Sequence, residues 1–408
     1  MSVDRYIING KNRLKGEVKI DGAKNAVLPI LAATIMNRSE SLIHNVPRIK
    51  DVDILCGILD TLGCKCNFDN DVLIVDSSDI SNVNIPEKSV REMRSSIVLM
   101  GAVLARYGQV KISYPGGCEI GPRPIDLHLM GLKQLGAKIN ETHGYIICEC
   151  DKLRGTEIHL DYPSVGATEN IMLAAVNAEG VTIIQNAARE PEILDLQDFL
   201  NKMGARISGG GSSMIKIEGV NNLNSVEHSI IPDRIVAGTI ISAAAVTGGD
   251  IILNNIVISH LKPILAKFVE SGCVINKYEN NVHFKANRRI KAPDIIKTLP
   301  HPGFPTDMQA QMMAAMATAK GTSIFIETVF ESRYKHAEEL IKMGANIKIE
   351  GRTAIVRGVK TLTGAEVCAK DLRGGAALTI AGLAAEGTTI VDNVDVHIDR
   401  GYDKLEES

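Results

Sequence analysis

The sequence predicts an α/β fold with two domains, each made of three copies of one structural unit, on the basis of two periodic patterns and the chain length. One pattern is an amphipathic helix that ends in a glycine turn and a short strand. The other is an alanine-rich helix followed by a turn and a β-branched strand. With 408 residues, 45% of them hydrophobic, the chain is long enough for two or three domains with sizeable cores.

The amphipathic pattern recurs five times, at intervals of about 70 residues. A representative copy is LKQLGAKI, in which an apolar stripe runs up to a glycine and a short strand follows. A helix with one apolar face belongs on the outside of a core. The glycines that end the five copies are Gly63, Gly136, Gly204, Gly272 and Gly344.

The alanine-rich pattern is apolar on nearly every side, as in MLAAVNAEGVTII and ISAAAVTGGDIIL, which indicates a buried helix. A sixth copy, LPILAATIM, opens the series. Six copies exceed a single core, so the expected division is three plus three. An open solenoid is the alternative, but solenoid repeats are usually only ~20 to 50 residues long.

The last copy is expected to be shortened. In the internal copies an Asn or Thr closes the strand, and the glycine of the outer helix follows at a nearly constant distance. Counted from Asn393, the sixth glycine would fall beyond Ser408. We therefore expect the final outer helix and strand to be missing, with an open sheet edge as the result.

Composition excludes several classes of partner. The formal charge of −3 provides no basic excess for nucleic acid or an anionic membrane, and an aromatic content of 4% without tryptophan disfavours base stacking. No signal peptide or membrane-spanning segment is visible, so a cytoplasmic location is expected. The eight cysteines form no cluster with metal-ligand spacing, so we expect free thiols and no bound metal.

One cysteine differs from the rest by its surroundings. Cys118 lies in YPGGCEIGPRPIDLH, where glycines and prolines rule out an ordinary helix or inner strand and predict a mobile loop. Arg123 and nearby backbone amides would lower the pKa of the thiol and make it a nucleophile or proton donor near neutrality. The alternative is an ordinary surface cysteine.

Charged or polar residues stand at the starts of five buried helices, which suggests one cleft surrounded by helix N-termini that suit a polyanionic ligand. N-capping or plain surface charge is the alternative for each of them. The stiff HPGFPTD segment fixes Asp307 as a general base would require, and Arg400 follows the last strand as Arg123 follows an earlier one. The five helix-start sites are Lys24 with Asn25, Arg94, Ser164, Asp307 and Arg373.

Ten motifs between residues 21 and 402 resemble those of the enolpyruvyl transferases that act on UDP-N-acetylglucosamine. They are DGAKNAVLP, MRSSI, GGCEIGPRPIDLH, SVGATEN, AAREPEI, IPDRI, HPGFPTDMQAQ, ETVFESR, DLRGGAAL and HIDRGY. The resemblance implies two inside-out α/β barrels, one formed by residues 22–231 and the other by residues 1–21 with 232–408. It also implies transfer of the enolpyruvyl group of phosphoenolpyruvate to the 3′-hydroxyl of the nucleotide sugar, the first committed step of bacterial peptidoglycan synthesis, with no metal or organic cofactor.

The resemblance also implies residue roles. Cys118 would protonate the methylene carbon of phosphoenolpyruvate, form a covalent adduct with it and be the target of fosfomycin. Asp307 would be the base on the sugar hydroxyl, with Asp371 as a proton relay and Arg373 as a supporting cation. Lys24, Arg123 and Arg400 would hold phosphoenolpyruvate. The residues expected to bind the nucleotide sugar are Asn25, Arg94, Pro124, Ile125, Asp126, Leu127, Ser164, Val165, Asp307, Val329 and Arg333.

One departure from the family pattern and two rival functions are open at this point. Tyr162 stands where the family commonly has a lysine before SVGAT, which would weaken diphosphate binding. The shikimate-pathway enolpyruvyl transferase is the nearest rival, but it lacks the cysteine segment. A non-catalytic relative that binds nucleotide sugars is the other, and only the shortened last unit favours it.

Overall fold

The computed structural model describes residues 4–114 and 125–407. Among them, residues 22–114 and 125–231 form one compact unit, which we call unit A. Residues 4–21 and 232–407 form the other, unit B. Each unit has its own hydrophobic core.

Helices of two kinds alternate along the chain. The twelve α-helices of the described residues are α1 (Lys24–Ala33), α2 (Lys50–Leu62), α3 (Glu87–Glu92), α4 (Leu99–Tyr107), α5 (Asp126–Gln134), α6 (Val165–Ala175), α7 (Pro191–Lys202), α8 (Arg234–Thr247), α9 (Ile258–Glu270), α10 (Gln309–Ala317), α11 (Lys335–Lys342) and α12 (Leu372–Ala384). Shorter 3₁₀ or π turns lie at Thr34–Asn37, Arg94–Val98, Thr306–Met308, Val394–Ile398 and Leu405–Glu407.

The alanine-rich helices form the interior of each unit. In unit A, α1 and α6 both pack against α4, and in unit B, α8, α10 and α12 pack against one another. Small residues permit this close approach: a Cβ atom on Gly101 of α4 would overlap the backbone carbonyl of Asn170 in α6. The amphipathic helices α2, α5 and α7 of unit A, and α9 and α11 of unit B, bury only one face.

Short strands surround the helices. They are β1 (Tyr6–Asn9), β2 (Lys15–Lys19), β3 (Glu40–His44), β4 (Lys65–Asp69), β5 (Val72–Asp76), β6 (Gln109–Ser113), β7 (Lys138–Thr142), β8 (Tyr145–Glu149), β9 (Glu157–His159), β10 (Val181–Gln185), β11 (Arg206–Ser208), β12 (Met214–Glu218), β13 (Val226–Ser229), β14 (Asp250–Asn254), β15 (Val274–Lys277), β16 (Asn281–Lys285), β17 (Ile295–Lys297), β18 (Thr322–Ile326), β19 (Asn346–Glu350), β20 (Thr353–Arg357), β21 (Leu362–Thr363), β22 (Glu366–Cys368), β23 (Ala385–Glu386) and β24 (Thr388–Asp392).

Four sheets repeat one topology. In each, the strand after a buried helix pairs in parallel with one neighbouring strand and antiparallel with the nearer strand of a hairpin. An example is the order β9-β10-β12-β11. The other three are β13-β3-β5-β4, β2-β14-β16-β15 and β17-β18-β20-β19. Sheets β6-β8-β7 and β1-β24-β22 have three strands, and β21 pairs with β23. This arrangement of buried helices, outer helices and sheets confirms the predicted α/β class.

Two strands each precede the first helix of one unit in the sequence but pair with a strand of the other unit. β2 precedes α1 of unit A but pairs with β14 of unit B, and β13 precedes α8 of unit B but pairs with β3 of unit A. The chain therefore passes from one unit to the other at residues 21–22 and 231–232. Around these crossings Ala23 N donates to Ile231 O at 2.7 Å, and Asp233 N donates to Asp21 O at 2.8 Å.

The turns after the outer helices require glycine. Each of the five predicted glycines has a positive φ, from 83° at Gly272 to 110° at Gly63, a region that other residues enter at a cost. The sheet of the last repeat has three strands instead of four, and the N-terminal strand β1 pairs antiparallel with β24, which is also hydrogen-bonded to β22.

Candidate active site

Three of the predicted site residues, Cys118, Arg123 and Pro124, lie outside the described residues. The segment that contains them joins β6 to α5 in the sequence. Ile125 takes the N-cap position of α5, and Asp126 and Leu127 open its first turn.

Lys24 is the first residue of α1, and its ammonium group is nearly buried. Its Nζ lies 2.7 Å from Oδ2 of Asp51, a fully buried carboxylate in the first turn of α2. A buried lysine keeps its charge when a carboxylate is its partner. The amides of the helix start and this ammonium group, with the adjacent Asn25, can together receive an anion. Asp51 was not predicted, although a charged residue on the apolar face of α2 is a usable signal.

Ser164 caps α6, since its Oγ accepts a hydrogen bond from Ala167 N at 3.3 Å, and Val165 is the first helical residue. Capping was the alternative considered for this serine. Near this helix start the ring of His128, on α5, faces Gly166, so a Cβ atom on that glycine would touch the imidazole.

His128 belongs to a buried network that connects the helices of unit A. Its Nδ1 lies 2.9 Å from Asn170 Nδ2, which also donates to Ile97 O at 2.9 Å. Burial, together with the positive charge of Arg94, lowers the pKa of His128 to about 4, so the imidazole is neutral near pH 7. Arg94 and the starts of α5 and α6 thus lie around His128, and sugar binding by these residues stays a prediction. His128 itself was not predicted.

Asp307, in the 3₁₀ turn before α10, is the centre of the second cluster. Its Oδ1 lies 2.9 Å from Arg333 Nη2, and its Oδ2 lies 3.1 Å from Arg373 Nη2. The two arginine side chains are 3% exposed, whereas that of Asp307 is 26% exposed. The carboxylate is therefore fixed by two buried cations and still reachable from solvent.

Arg373 is itself held from behind. Its guanidinium carbon lies 5.3 Å from the ring centroid of Tyr402, and the Tyr402 hydroxyl group is 2.9 Å from Thr239 Oγ1 and accepts from Gln311 Nε2 at 3.1 Å. Burial opposes the charge of Arg373, but Tyr402, Asp307 and Asp233 raise its pKa above the ordinary value. This contact network joins α8, α10 and α12 behind the carboxylate.

Opposite charges favour the ionised form of a carboxylate, so the two arginines keep Asp307 anionic and oriented. Such a group can accept the proton of a hydroxyl group placed against it. Arg333 Nη1 and Arg373 Nη1 are buried and have no hydrogen-bond partner among the described residues.

Asp371, the predicted relay, caps α12: its Oδ1 accepts from Arg373 N at 3.1 Å and from Gly374 N at 2.9 Å. The relay role stays a prediction. Arg400 lies two residues before Tyr402 in unit B. Val329 follows β18, and its backbone N donates to Glu327 Oε1 at 2.8 Å. The sequence analysis did not predict roles for Tyr402 or Glu327.

Within the described part of the chain, no group of His, Cys, Asp and Glu residues could hold a metal ion. The seven described cysteines are free thiols. Burial raises the pKa of Cys64, Cys148 and Cys273 to about 12, which makes these thiols unreactive near neutrality. Among the described helices, none has both the length and the hydrophobicity that crossing a membrane requires.

Comparison with protein families and sequences gives close relatives. A family model described as EPSP synthase (3-phosphoshikimate 1-carboxyvinyltransferase) matches residues 8–408. The chain is 56% identical over 404 residues to UDP-N-acetylglucosamine 1-carboxyvinyltransferase 2 of Caldanaerobacter subterraneus subsp. tengcongensis, covering 99% of this chain and 97% of the relative. UDP-N-acetylglucosamine 1-carboxyvinyltransferase 1 of Symbiobacterium thermophilum is 55% identical over 410 residues, covering 99% of this chain and 92% of the relative.

Solved structures share the fold at lower identity. The enolpyruvyl transferase NikO of Streptomyces tendae aligns with a TM-score of 0.89 and 24% identity, over 99% of this chain and 96% of NikO. An EPSP synthase of Acinetobacter baumannii aligns with a TM-score of 0.75 and 16% identity, over 99% of this chain and 96% of that one.

Proposed function

The chain belongs to the EPSP synthase family of enolpyruvyl transferases, and we propose that it transfers the enolpyruvyl group of phosphoenolpyruvate to the 3′-hydroxyl of UDP-N-acetylglucosamine with release of phosphate. It is a transferase of peptidoglycan synthesis, and thus of cell-wall biogenesis, cell shape and division. We place the reaction in the bacterial cytoplasm.

The observation that carries the choice of acceptor is the identity to named relatives. Eight relatives named UDP-N-acetylglucosamine 1-carboxyvinyltransferase are 47–56% identical over 99% of this chain. Two EPSP synthase structures from Acinetobacter baumannii are each 16% identical. The second candidate function, the shikimate-pathway transfer, is favoured only by the description of the family model.

The chemistry explains why such different groups are needed. The alcohol adds to the enol phosphate, and a proton goes to its methylene carbon, through an oxocarbenium-like centre and a tetrahedral ketal. The ketal then loses phosphate and a proton from the new methyl group, which restores the double bond in the product. The reaction requires an acid at the methylene carbon, a base at the hydroxyl group and cations around the departing phosphate. We assign the acid to Cys118, which would also form the covalent adduct and react with fosfomycin.

We assign the base to Asp307. In its arginine clamp the carboxylate would accept the proton of the sugar 3′-hydroxyl, and Asp371 would relay that proton. When the attacking oxygen loses its proton, Arg373 and Arg333 would stabilise the negative charge shared by that oxygen and Asp307. The partial exposure of Asp307 supports this assignment, because a base must reach a bound substrate.

The anionic substrate groups go to the predicted cations. Lys24, held by Asp51, would bind phosphoenolpyruvate with Arg123 and Arg400. The start of α6 would bind the diphosphate through its backbone amides, which is one way to compensate for Tyr162 in place of a lysine. The remaining proposed contacts to the nucleotide sugar are Asn25, Arg94, Pro124, Ile125, Asp126, Leu127, Ser164, Val165, Val329 and Arg333.

Phosphate release tests the proposal. We expect inorganic phosphate only when phosphoenolpyruvate and UDP-N-acetylglucosamine are both present, none with shikimate 3-phosphate as acceptor, and loss of release in Cys118→Ala. Release with phosphoenolpyruvate and shikimate 3-phosphate, but not with phosphoenolpyruvate and UDP-N-acetylglucosamine, would establish the second candidate function. No release with either acceptor, from protein with a cooperative unfolding transition, would favour a non-catalytic binding protein.

A further inference from the structure

Glu327 occupies a position that four of the six repeat units give to asparagine. In four sheets the residue directly after the central strand is an asparagine with a positive φ, and its side-chain amide donates to a backbone carbonyl at the end of the parallel neighbour strand. The four are Asn45, Asn186, Asn255 and Asn393. After β18 the equivalent residue is Glu327, and Thr328 Oγ1 donates the closing hydrogen bond to Thr298 O at 2.6 Å instead. A break in a repeated structural solution indicates a functional position.

The carboxylate of Glu327 is 1% exposed and accepts four hydrogen bonds. Oε1 accepts from Val329 N at 2.8 Å, Phe330 N at 3.2 Å and Thr298 Oγ1 at 2.8 Å. Oε2 accepts from Thr306 Oγ1 at 2.9 Å. Two backbone amides and two hydroxyl groups thus surround it.

Three of these four donors, Thr306, Val329 and Phe330, lie on the segments that carry the Asp307 cluster. Thr306 directly precedes Asp307 in the same 3₁₀ turn. The turn that begins at Val329 leads to Arg333, whose guanidinium carbon lies 5.1 Å from the Phe330 ring centroid and whose Nη2 binds Asp307 at 2.9 Å. The buried carboxylate of Glu327 therefore connects the segment that contains Asp307 to the segment that contains its partner Arg333.

We propose that Glu327 is a positioning residue that holds Asp307 and the Val329 turn in the geometry needed for the acceptor sugar, an inference that rests on the proposed roles of Asp307 and Val329. Glu327 does not touch the reacting atoms. It acts by fixing the two segments relative to each other, and small displacements of a reacting group are costly in rate.

The chain offers a matched control. Glu339 of the same unit is 2% exposed and also accepts a backbone hydrogen bond, from Cys368 N at 3.2 Å, but its other partners are Lys342 and Lys370. A loss of folding or rigidity through removal of a buried carboxylate should therefore appear in Glu339→Gln as well. An effect on the acceptor site should appear only when Glu327 is changed.

The test compares the wild type with Glu327→Gln, Thr306→Val and Glu339→Gln in steady-state phosphate release, normalised to the folded fraction. For Glu327→Gln we expect kcat/KM for UDP-N-acetylglucosamine to fall about 10- to 100-fold, with KM for phosphoenolpyruvate unchanged. Thr306→Val removes one of the four hydrogen bonds and should give a smaller fall in kcat/KM for UDP-N-acetylglucosamine. Glu339→Gln should keep both kinetic constants.

The outcomes separate the two proposals. If the wild-type chain releases no phosphate, the proposed function fails whatever the variants do. If the wild type is active and Glu327→Gln matches Glu339→Gln, or loses kcat with both KM values unchanged, Glu327 has a structural role only and the inference is overturned. If Glu327→Gln does not fold, Thr306→Val decides, and wild-type kinetics in that variant would overturn the inference.

Discussion

At the scale of single residues, Asp307 shows how two arginines set the behaviour of one carboxylate. Replacing it by asparagine removes the base and leaves two buried guanidinium groups without their counter-charge. We expect Asp307→Asn to lower kcat by about 10²- to 10⁴-fold, the usual contribution of a general base. The measurement is phosphate release with saturating phosphoenolpyruvate and nucleotide sugar.

Asp250→Asn is the control for Asp307→Asn. Asp250 is 28% exposed, close to the 26% of Asp307, and it is paired with Lys285 on a sheet of the same unit. This variant should retain full turnover. Equal turnover in the two variants would remove Asp307 from the mechanism.

Glu169 of α6 gives a prediction for pH dependence. Burial first, and then the charges of Glu192 and Glu190, raise the pKa of Glu169 well above its ordinary value. The folded state therefore holds a proton that the unfolded state releases above the ordinary glutamate pKa, so stability falls as the pH rises through the folded pKa. In Glu169→Gln we expect a weaker fall of Tm as the pH rises above the ordinary glutamate pKa.

The Glu169 experiment needs a glutamate without burial as its control. Glu179 is exposed, and the hydrogen bond and charge of Lys152 lower its pKa. Glu179→Gln should leave the fall of Tm with rising pH as it is in the wild type. An unchanged pH profile in Glu169→Gln would mean that this carboxyl group does not govern the stability of the unit.

At the scale of secondary-structure elements, α4 and α6 depend on one glycine for their contact. A Cβ atom on Gly101 would overlap the carbonyl of Asn170, whose side-chain Oδ1 also accepts from Gly101 N at 2.5 Å. We expect Gly101→Ala to destabilise the protein by about 1–3 kcal/mol, as overpacking does in a core. Urea unfolding measures the difference.

Gly57 of α2 provides the opposite case. It is a helical glycine with open space where a Cβ atom would stand. Gly57→Ala should stabilise by up to about 1 kcal/mol through helix propensity. If both alanine variants changed stability in the same direction, the contact between α4 and α6 would not explain the result for Gly101.

The elements also show which parts of the fold and of the site can be predicted from the sequence. The outer helices, their glycine turns and the buried helices were predictable because each is a local pattern of polarity and backbone freedom. Lys24 and Asp307 were predictable because they lie at helix starts within recognisable motifs. Asp51, the partner of Lys24, and Tyr402, which contacts Arg373, were not, since they reach these residues through tertiary contacts that local periodicity does not encode. The pairing of β1 with β24 was missed for the same reason.

At the scale of the whole molecule, the order of segments in the chain differs from their order in the fold. The described residues of unit A, 22–114 and 125–231, all lie between the two crossings, whereas unit B requires both residues 4–21 and 232–407. The strands β1 and β2 pair with β24 and β14 of unit B. Unit B without its N-terminal segment therefore loses two strands from two different sheets.

This difference predicts that a fragment of unit A will fold alone and that a fragment of unit B without its N-terminal segment will not. Residues 22–231 should unfold cooperatively by themselves, because all strands of the unit A sheets and its core lie inside that range. Residues 232–408 alone should aggregate, since β14 and β24 would be exposed as unpaired edges. Circular dichroism and chemical unfolding of the two fragments measure this.

A fused fragment completes the experiment. Because Asp21 O and Asp233 N are 2.8 Å apart, residues 1–21 can be joined to residues 232–408 through a short glycine linker without moving either end far. We expect this fusion to unfold cooperatively where 232–408 alone does not. Cooperative unfolding of 232–408 without residues 1–21 would show that β1 and β2 are dispensable, and the stability of unit B would then come from its three buried helices.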